Sequence, residues 1–185
     1  MQIATSKTRE QFPLSPKKII KKTVASTFLY TIVLILIWIS FVGLRIFYKA
    51  GIEGFFSITV VFILLFLIVV IPTYFYQKWY FATYFYDLTD DYIIIKKGPI
   101  TPYEITIPYE RVQDVYVDQD LLDRFFGLYD VHLSSATYSS GAAAHIDGVE
   151  KAAADGLRVF LLKTVQQKIG RNHPAPNTPN NINQK

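Results

Sequence analysis

The chain has 185 residues, 51% of them hydrophobic, with a formal net charge of +4 and no cysteine. The missing cysteine excludes disulfides, thiolate metal sites and a cysteine nucleophile. Charge is unevenly spread: residues 1–78 carry nine basic and two acidic side chains, residues 79–170 eight basic and thirteen acidic ones. An acidic folded module is the wrong partner for nucleic acid.

Residues 1–15 are polar without periodicity and read as a flexible arm. Ser15 suits a helix cap and Pro16 the first turn after it. Residues 16–78 then read as a two-helix transmembrane hairpin, with spans at about 23–44 and 54–76. Thr23 to Leu44 and Gly54 to Gln77 are apolar runs of 22 and 24 residues without a charged side chain. At about 1.5 Å per residue each reaches roughly 33–36 Å, enough to cross a hydrocarbon core of about 30 Å. The first run is too long for a signal-peptide core, and no small-residue cleavage site follows it.

Lys17, Lys18, Lys21 and Lys22 stand directly before the first span. This positive-inside pattern predicts a multi-pass cell-membrane protein with both termini in the cytoplasm. The same four lysines, with Lys78, are candidate contacts for anionic lipid headgroups, each worth about 1 kcal/mol near the surface. Pro72 is expected to kink or end the second helix. Tyr74, Tyr76, Trp79 and Tyr80 follow as interfacial anchors. The absence of charged residues from both spans argues against an ion or proton pathway.

Residues 79–169 read as a small β domain. Strands are expected over Tyr80–Leu88, Tyr92–Lys97, Glu104–Pro108 and Arg111–Gln119, with Thr89-Asp90-Asp91 as the first turn. Asp120 caps a short helix whose apolar residues, Leu121, Leu122, Phe125 and Phe126, are expected to be buried, with Gly127 at its end. Tyr129–Thr137 and Ala142–Asp147 form a hairpin across Tyr138-Ser139-Ser140-Gly141. A helix over 149–169 presents Leu157, Phe160, Leu161, Val165 and Ile169 to the sheet, with Gly156 weakening its continuity. Residues 170–185 read as a disordered tail.

Three runs carry a family resemblance: Tyr86-Asp87-Leu88-Thr89-Asp90-Asp91-Tyr92-Ile93-Ile94-Ile95, followed by Gly98; Ile105-Thr106-Ile107-Pro108-Tyr109-Glu110-Arg111-Val112-Gln113-Asp114-Val115; and Arg124-Phe125-Phe126-Gly127-Leu128. Together with the hairpin, over roughly residues 20 to 169, they resemble the bacterial pleckstrin-homology domain family, closest to its membrane-anchored YdbS-like branch. The resemblance implies a curved barrel of about seven strands closed by a C-terminal helix. It implies no reaction. The match is tightest at Arg111, Gln113, Arg124 and Gly127, read as a corner that fixes a strand-to-helix junction or binds a partner.

Other candidate chemistry is thin. Thr89-Asp90-Asp91 is acidic where a phosphoinositide reader needs Lys and Arg. Lys96 and Lys97 form a small basic patch, read as a solvated strand end and kept as a candidate headgroup contact. His132 and His145 fall on two arms of one hairpin near Asp130 and Asp147, two imidazoles where catalytic zinc takes three protein ligands. The run Asp114, Asp118, Asp120 and Asp123 lacks the spacing of a calcium loop. The expected protein is therefore a non-catalytic membrane-anchored scaffold without cofactor, metal or small-molecule substrate. It would bind another membrane protein or its own copies. The second expectation is an envelope-associated accessory factor on anionic lipid.

Overall fold

The computed structural model describes residues 6–49, 54–135 and 144–172. Its elements in chain order are α1 (Lys7–Gln11), α2 (Lys17–Phe47), α3 (Phe55–Thr83), β1 (Phe85–Leu88), β2 (Tyr92–Lys97), β3 (Tyr103–Pro108), a 3-10 turn (Tyr109–Arg111), β4 (Val112–Asp118), α4 (Leu121–Phe126), β5 (Leu128–Ser135), β6 (His145–Glu150) and α5 (Lys151–Asn172).

The two long helices are apolar around their circumference, and their apolar side chains stand exposed rather than covered by the domain. Both are long and apolar enough to cross a membrane. They run antiparallel: Tyr30 donates its hydroxyl to the Leu65 carbonyl at 2.7 Å, and Gln77 Nε2 donates to Ser26 Oγ at 3.4 Å. Pro72 does not end α3, which continues unbroken to Thr83. A proline removes one N–H from the ladder and leaves the bonds of the flanking turns in place. The expected strand start at Tyr80 is therefore helical, and the chain turns extended only at Tyr84, whose N–H donates to the Tyr80 carbonyl at 3.0 Å.

Six strands form two antiparallel three-stranded sheets, β1-β2-β3 and β4-β5-β6. The seven-stranded closed barrel is thus not what forms; the fold is pleckstrin-homology-like with two separate sheets among the described residues. Period-two alternation buries Ile93 and Ile95 of β2 against Ile105 and Ile107 of β3, and Val131, Leu133 and Ile146 from the second sheet. Leu157, Leu161 and Val165 of α5 complete that core, each large side chain contributing about 1.5–3 kcal/mol by leaving water. Gly156 does not interrupt α5. A Cβ there would lie 2.4 Å from Phe12 Cε1, so glycine is what lets the N-terminal segment lie against the helix. Phe160 is partly exposed and meets Phe12 at 6.4 Å between ring centroids, while the side chain of Ile169 lies outside the described residues.

The expected flexible arm is in fact docked from Ser6 to Ser15. Ser6 and Thr8 both donate to Asp87 Oδ1, at 2.8 and 2.9 Å. Arg9 Nη1 donates to the Tyr84 carbonyl at 2.7 Å, and the Tyr86 hydroxyl donates to the Phe12 carbonyl. Leu14 bridges Val149, and Ser15 N–H donates to the Gly148 carbonyl at 2.9 Å. Ser15 does not cap α2 with its side chain; its hydroxyl donates to Glu150 instead, at 3.2 Å. These partners lie 70–135 residues away, beyond the reach of any local pattern. The expected turn at Tyr138–Gly141 lies outside the described residues; of the expected tail over 170–185, residues 170–172 continue α5 and the rest lies outside them.

Candidate functional site

The densest polar constellation lies where the start of α2 meets the β domain. Successive turns of α2 carry Lys18, Lys21 and Lys22 toward one side. Facing them are Asp147 on β6, Asp130 on β5, and Asp120 and Asp123 at the start of α4. Lys21 Nζ pairs with Asp123 Oδ1 and lies 3.5 Å from Asp120, 3.7 Å from Asp147 and 3.8 Å from Asp130. Lys22 Nζ reaches Asp147 Oδ2 at 2.6 Å. Lys18 Nζ donates to the Asp147 carbonyl at 2.8 Å, lies 3.6 Å from its carboxylate, and sits 3.9 Å from the centroid of the Tyr84 ring. The side chains of Lys18, Lys21 and Asp123 retain 2%, 3% and 1% of their exposure. Isolated charges so buried cost several kcal/mol each; here Lys18 is held by the carboxylate and carbonyl of Asp147, and Lys21 and Asp123 are held by their ion pair, which is what compensates the otherwise unpartnered carboxylate oxygens of Asp123.

Backbone geometry makes the fit possible. Gly148 adopts φ of +80°, and a Cβ there would lie 2.7–2.9 Å from the Lys18 stem. The glycine lets the aliphatic part of Lys18 lie flat on β6 while its ammonium reaches Asp147.

The four carboxyls do not titrate alike. Burial would raise Asp147, but the ammonium groups of Lys18 and Lys22 hold it well below the usual carboxylate range. Burial and the negative charge of Asp147 push Asp130 up to about 7. Asp130 Oδ1 accepts from Gly148 N–H at 2.9 Å. The pair thus holds one proton into the neutral range, leaving three carboxylates against the three lysines. Asp130 binds its proton more tightly in the fold than in the unfolded chain. Its contribution therefore favours the fold below the ordinary value of 3.8 and is lost as pH rises through about 7. Asp130→Asn, which mimics the protonated acid, is expected to gain stability relative to the parent between pH 4 and 7, on the order of 2 kcal/mol, and to hold that gain above. Denaturation of both proteins in micelles across this range checks it; parallel profiles contradict it.

A second polar group borders the first. Tyr116, His132 and His145, on β4, β5 and β6, stack across the sheet with ring centroids 4.9 and 5.3 Å apart. His132 Nε2 meets Asp118 Oδ1 at 3.0 Å, and Lys97 Nζ lies 3.4 Å from His145 Nδ1. Burial and the charge of Lys97 lower His145 to about 4, so it is neutral at pH 7; burial and the charge of Lys18 lower Lys97 to about 8. Asp118, Asp130 and His132 bring one ligand atom each within 4.8 Å of the others. Asp130 already accepts from Gly148 N–H, and His132 is bonded to Asp118. The set reads as a satisfied polar network.

Several sequence expectations change here. Lys18, Lys21 and Lys97 are buried inside the protein, so they are not headgroup contacts. Lys17 makes an exposed pair with Glu150 at 3.6 Å and Lys96 one with Glu104 at 2.9 Å; Lys22 is partly exposed and Lys78 is exposed. Arg111 and Gln113 stand at the start of β4, whereas Arg124 and Gly127 lie beyond its far end. Five residues of strand beyond Gln113, about 17 Å, separate the two pairs, so they do not form one corner. Gly127 does end α4, in the left-handed conformation. Tyr74, Tyr76 and Trp79 are exposed on α3, and Tyr80 is half-buried. No spacing in the sequence groups Asp123, Asp130, Asp147 and Gly148 with the lysines of α2; the one signal that points to them is charge complementarity between a basic helix start and an acidic domain.

A family model described as a bacterial PH domain matches residues 19–165, which takes in both long helices, all six strands and most of α5. No curated protein and no solved structure matches the chain.

Proposed function

Because the chain belongs to the bacterial PH domain family, we propose that it is a membrane-anchored, non-catalytic interaction module. Its β domain would meet another membrane protein or a second copy of this chain. The observation that carries this reading is the open sheet. Among the described residues β3 pairs with β2 on one side and with no strand on the other. Tyr103, Glu104 and Thr106 are exposed along it. An unpaired edge offers backbone donors and acceptors to an added strand. The two helices supply the anchor, and the buried lysines join anchor to domain, so that edge stands at a set height and angle.

Both termini are proposed to be cytoplasmic. The aspartates neutralise the lysines only once the domain has folded, so the cluster still biases orientation during insertion. A photo-crosslinking residue at Glu104 or Thr106 of the full chain, activated in native membranes, is expected to trap one discrete adduct. A chain that gives no adduct from either position contradicts the reading.

A further inference from the structure

α4 is inside out. Its buried residue is a carboxylate, Asp123, while Leu121 and Phe125 are 86% and 81% exposed. The expectation that its apolar residues are buried fails at these two positions. They lie four apart, on one face of the helix, and the ion pairs of Asp120 and Asp123 with Lys21 turn the opposite face toward α2. A surface helix in water shows the reverse polarity. Such an arrangement suits an apolar medium outside the protein.

The height of α4 identifies that medium. Lys21 lies two residues, about 3 Å of helix rise, before Thr23, where the uncharged run of α2 begins. Gln77, bonded to Ser26 of α2, marks the same region on α3, with Trp79 exposed just beyond. The turn between β2 and β3 lies at this end of the other sheet, because Lys96 pairs with Phe85, the first residue of β1. Its Ile100 is also exposed. Resting on the reading that α2 and α3 span a bilayer, we propose that α4 is a membrane wedge: Leu121 and Phe125 enter the interfacial layer of the same bilayer. Exposed Arg124, between them in sequence, meets the headgroups. The domain then stands flush on the lipid, held by its helices and by an apolar foot.

The chain has no cysteine, so single cysteines label cleanly. Full-length Leu121→Cys, Phe125→Cys, Leu36→Cys and Asp90→Cys proteins carry an NBD fluorophore in vesicles of phosphatidylethanolamine and phosphatidylglycerol. Leu36 reports the α2 span, and Asp90 the turn at the far end of β1. The proposal predicts blue-shifted emission at 121 and 125, with most of it lost to spin labels placed shallow in the lipid chains. Emission at 36 should be lost to deep labels, and emission at 90 should be unaffected by either. Quenching at 36 with none at 121 and 125 overturns the wedge and leaves the spanning reading intact. Blue-shifted but unquenched emission at 121 and 125 means a protein covers α4, and this too overturns the wedge. Absence of quenching at 36 overturns both readings.

Discussion

Lys21→Met is expected to destabilise the folded full chain by about 3–5 kcal/mol, the cost of breaking a buried charge pair from one side. Lys21 lies within 4 Å of all four aspartates, and among the described residues Asp123, almost wholly buried, has no other cationic partner within 4 Å. Methionine conserves the stem and deletes the charge, so packing is nearly kept while Asp123 is stranded. Lys21→Met with Asp123→Leu is expected to recover a large part of the loss, since a buried pair replaced by apolar residues often breaks even. Thermal unfolding in micelles, followed by circular dichroism of the β domain, separates the cases. A single variant within about 0.5 kcal/mol of the parent, the usual range for surface substitutions, would mean that the pair is solvated.

Gly148→Ala carries the second large effect. The residue sits in the left-handed region, where an L side chain costs roughly 1–2 kcal/mol. Its new methyl would also press on the Lys18 stem, which is pinned at its tip by the Asp147 carbonyl and cannot swing away. Overpacking of this sort adds about 1–3 kcal/mol. We expect a total loss near 3 kcal/mol, with faster proteolysis at the junction of α2 and the domain. Lys18→Ala removes a buried partner of Asp147 and carries its own loss, so the comparison is a double-mutant cycle: added to Lys18→Ala, Gly148→Ala is expected to cost only the backbone part. An equal cost of Gly148→Ala with and without the Lys18 stem would show that the stem is not what the methyl meets.

Local order was legible wherever neighbours in sequence decide it. β2 falls at Tyr92–Lys97 as alternation predicts, and Asp120 and Gly127 bound α4 as their side chains dictate. What escaped was decided by partners far along the chain. The arm before Pro16 docks through bonds to Asp87, Tyr84 and Val149. Tyr80, Phe81 and Thr83 have strand-forming side chains but extend a helix already running. α4 kept its boundaries and lost its expected polarity, because burial there is set by Lys21, some hundred residues earlier.

The charge partition is the most instructive case. In sequence, a basic helix start reads as a topology signal and an acidic domain as the wrong partner for nucleic acid. They are two halves of one buried cluster. Burial also explains why Lys97, a plausible basic patch in sequence, faces inward beside His145. A count of charges does not say which faces which; only the register of β5 and β6 against α2 does.

This cluster joins α2 rigidly to the β domain. Spin labels at Leu29→Cys on α2 and Asp90→Cys in the β1–β2 turn, in full-length protein in lipid nanodiscs, measure it directly by pulsed electron resonance. A rigid junction gives one narrow distance distribution, which broadens in the Lys21→Met background. A distribution already broad in the parent, and unchanged by that substitution, would contradict the account.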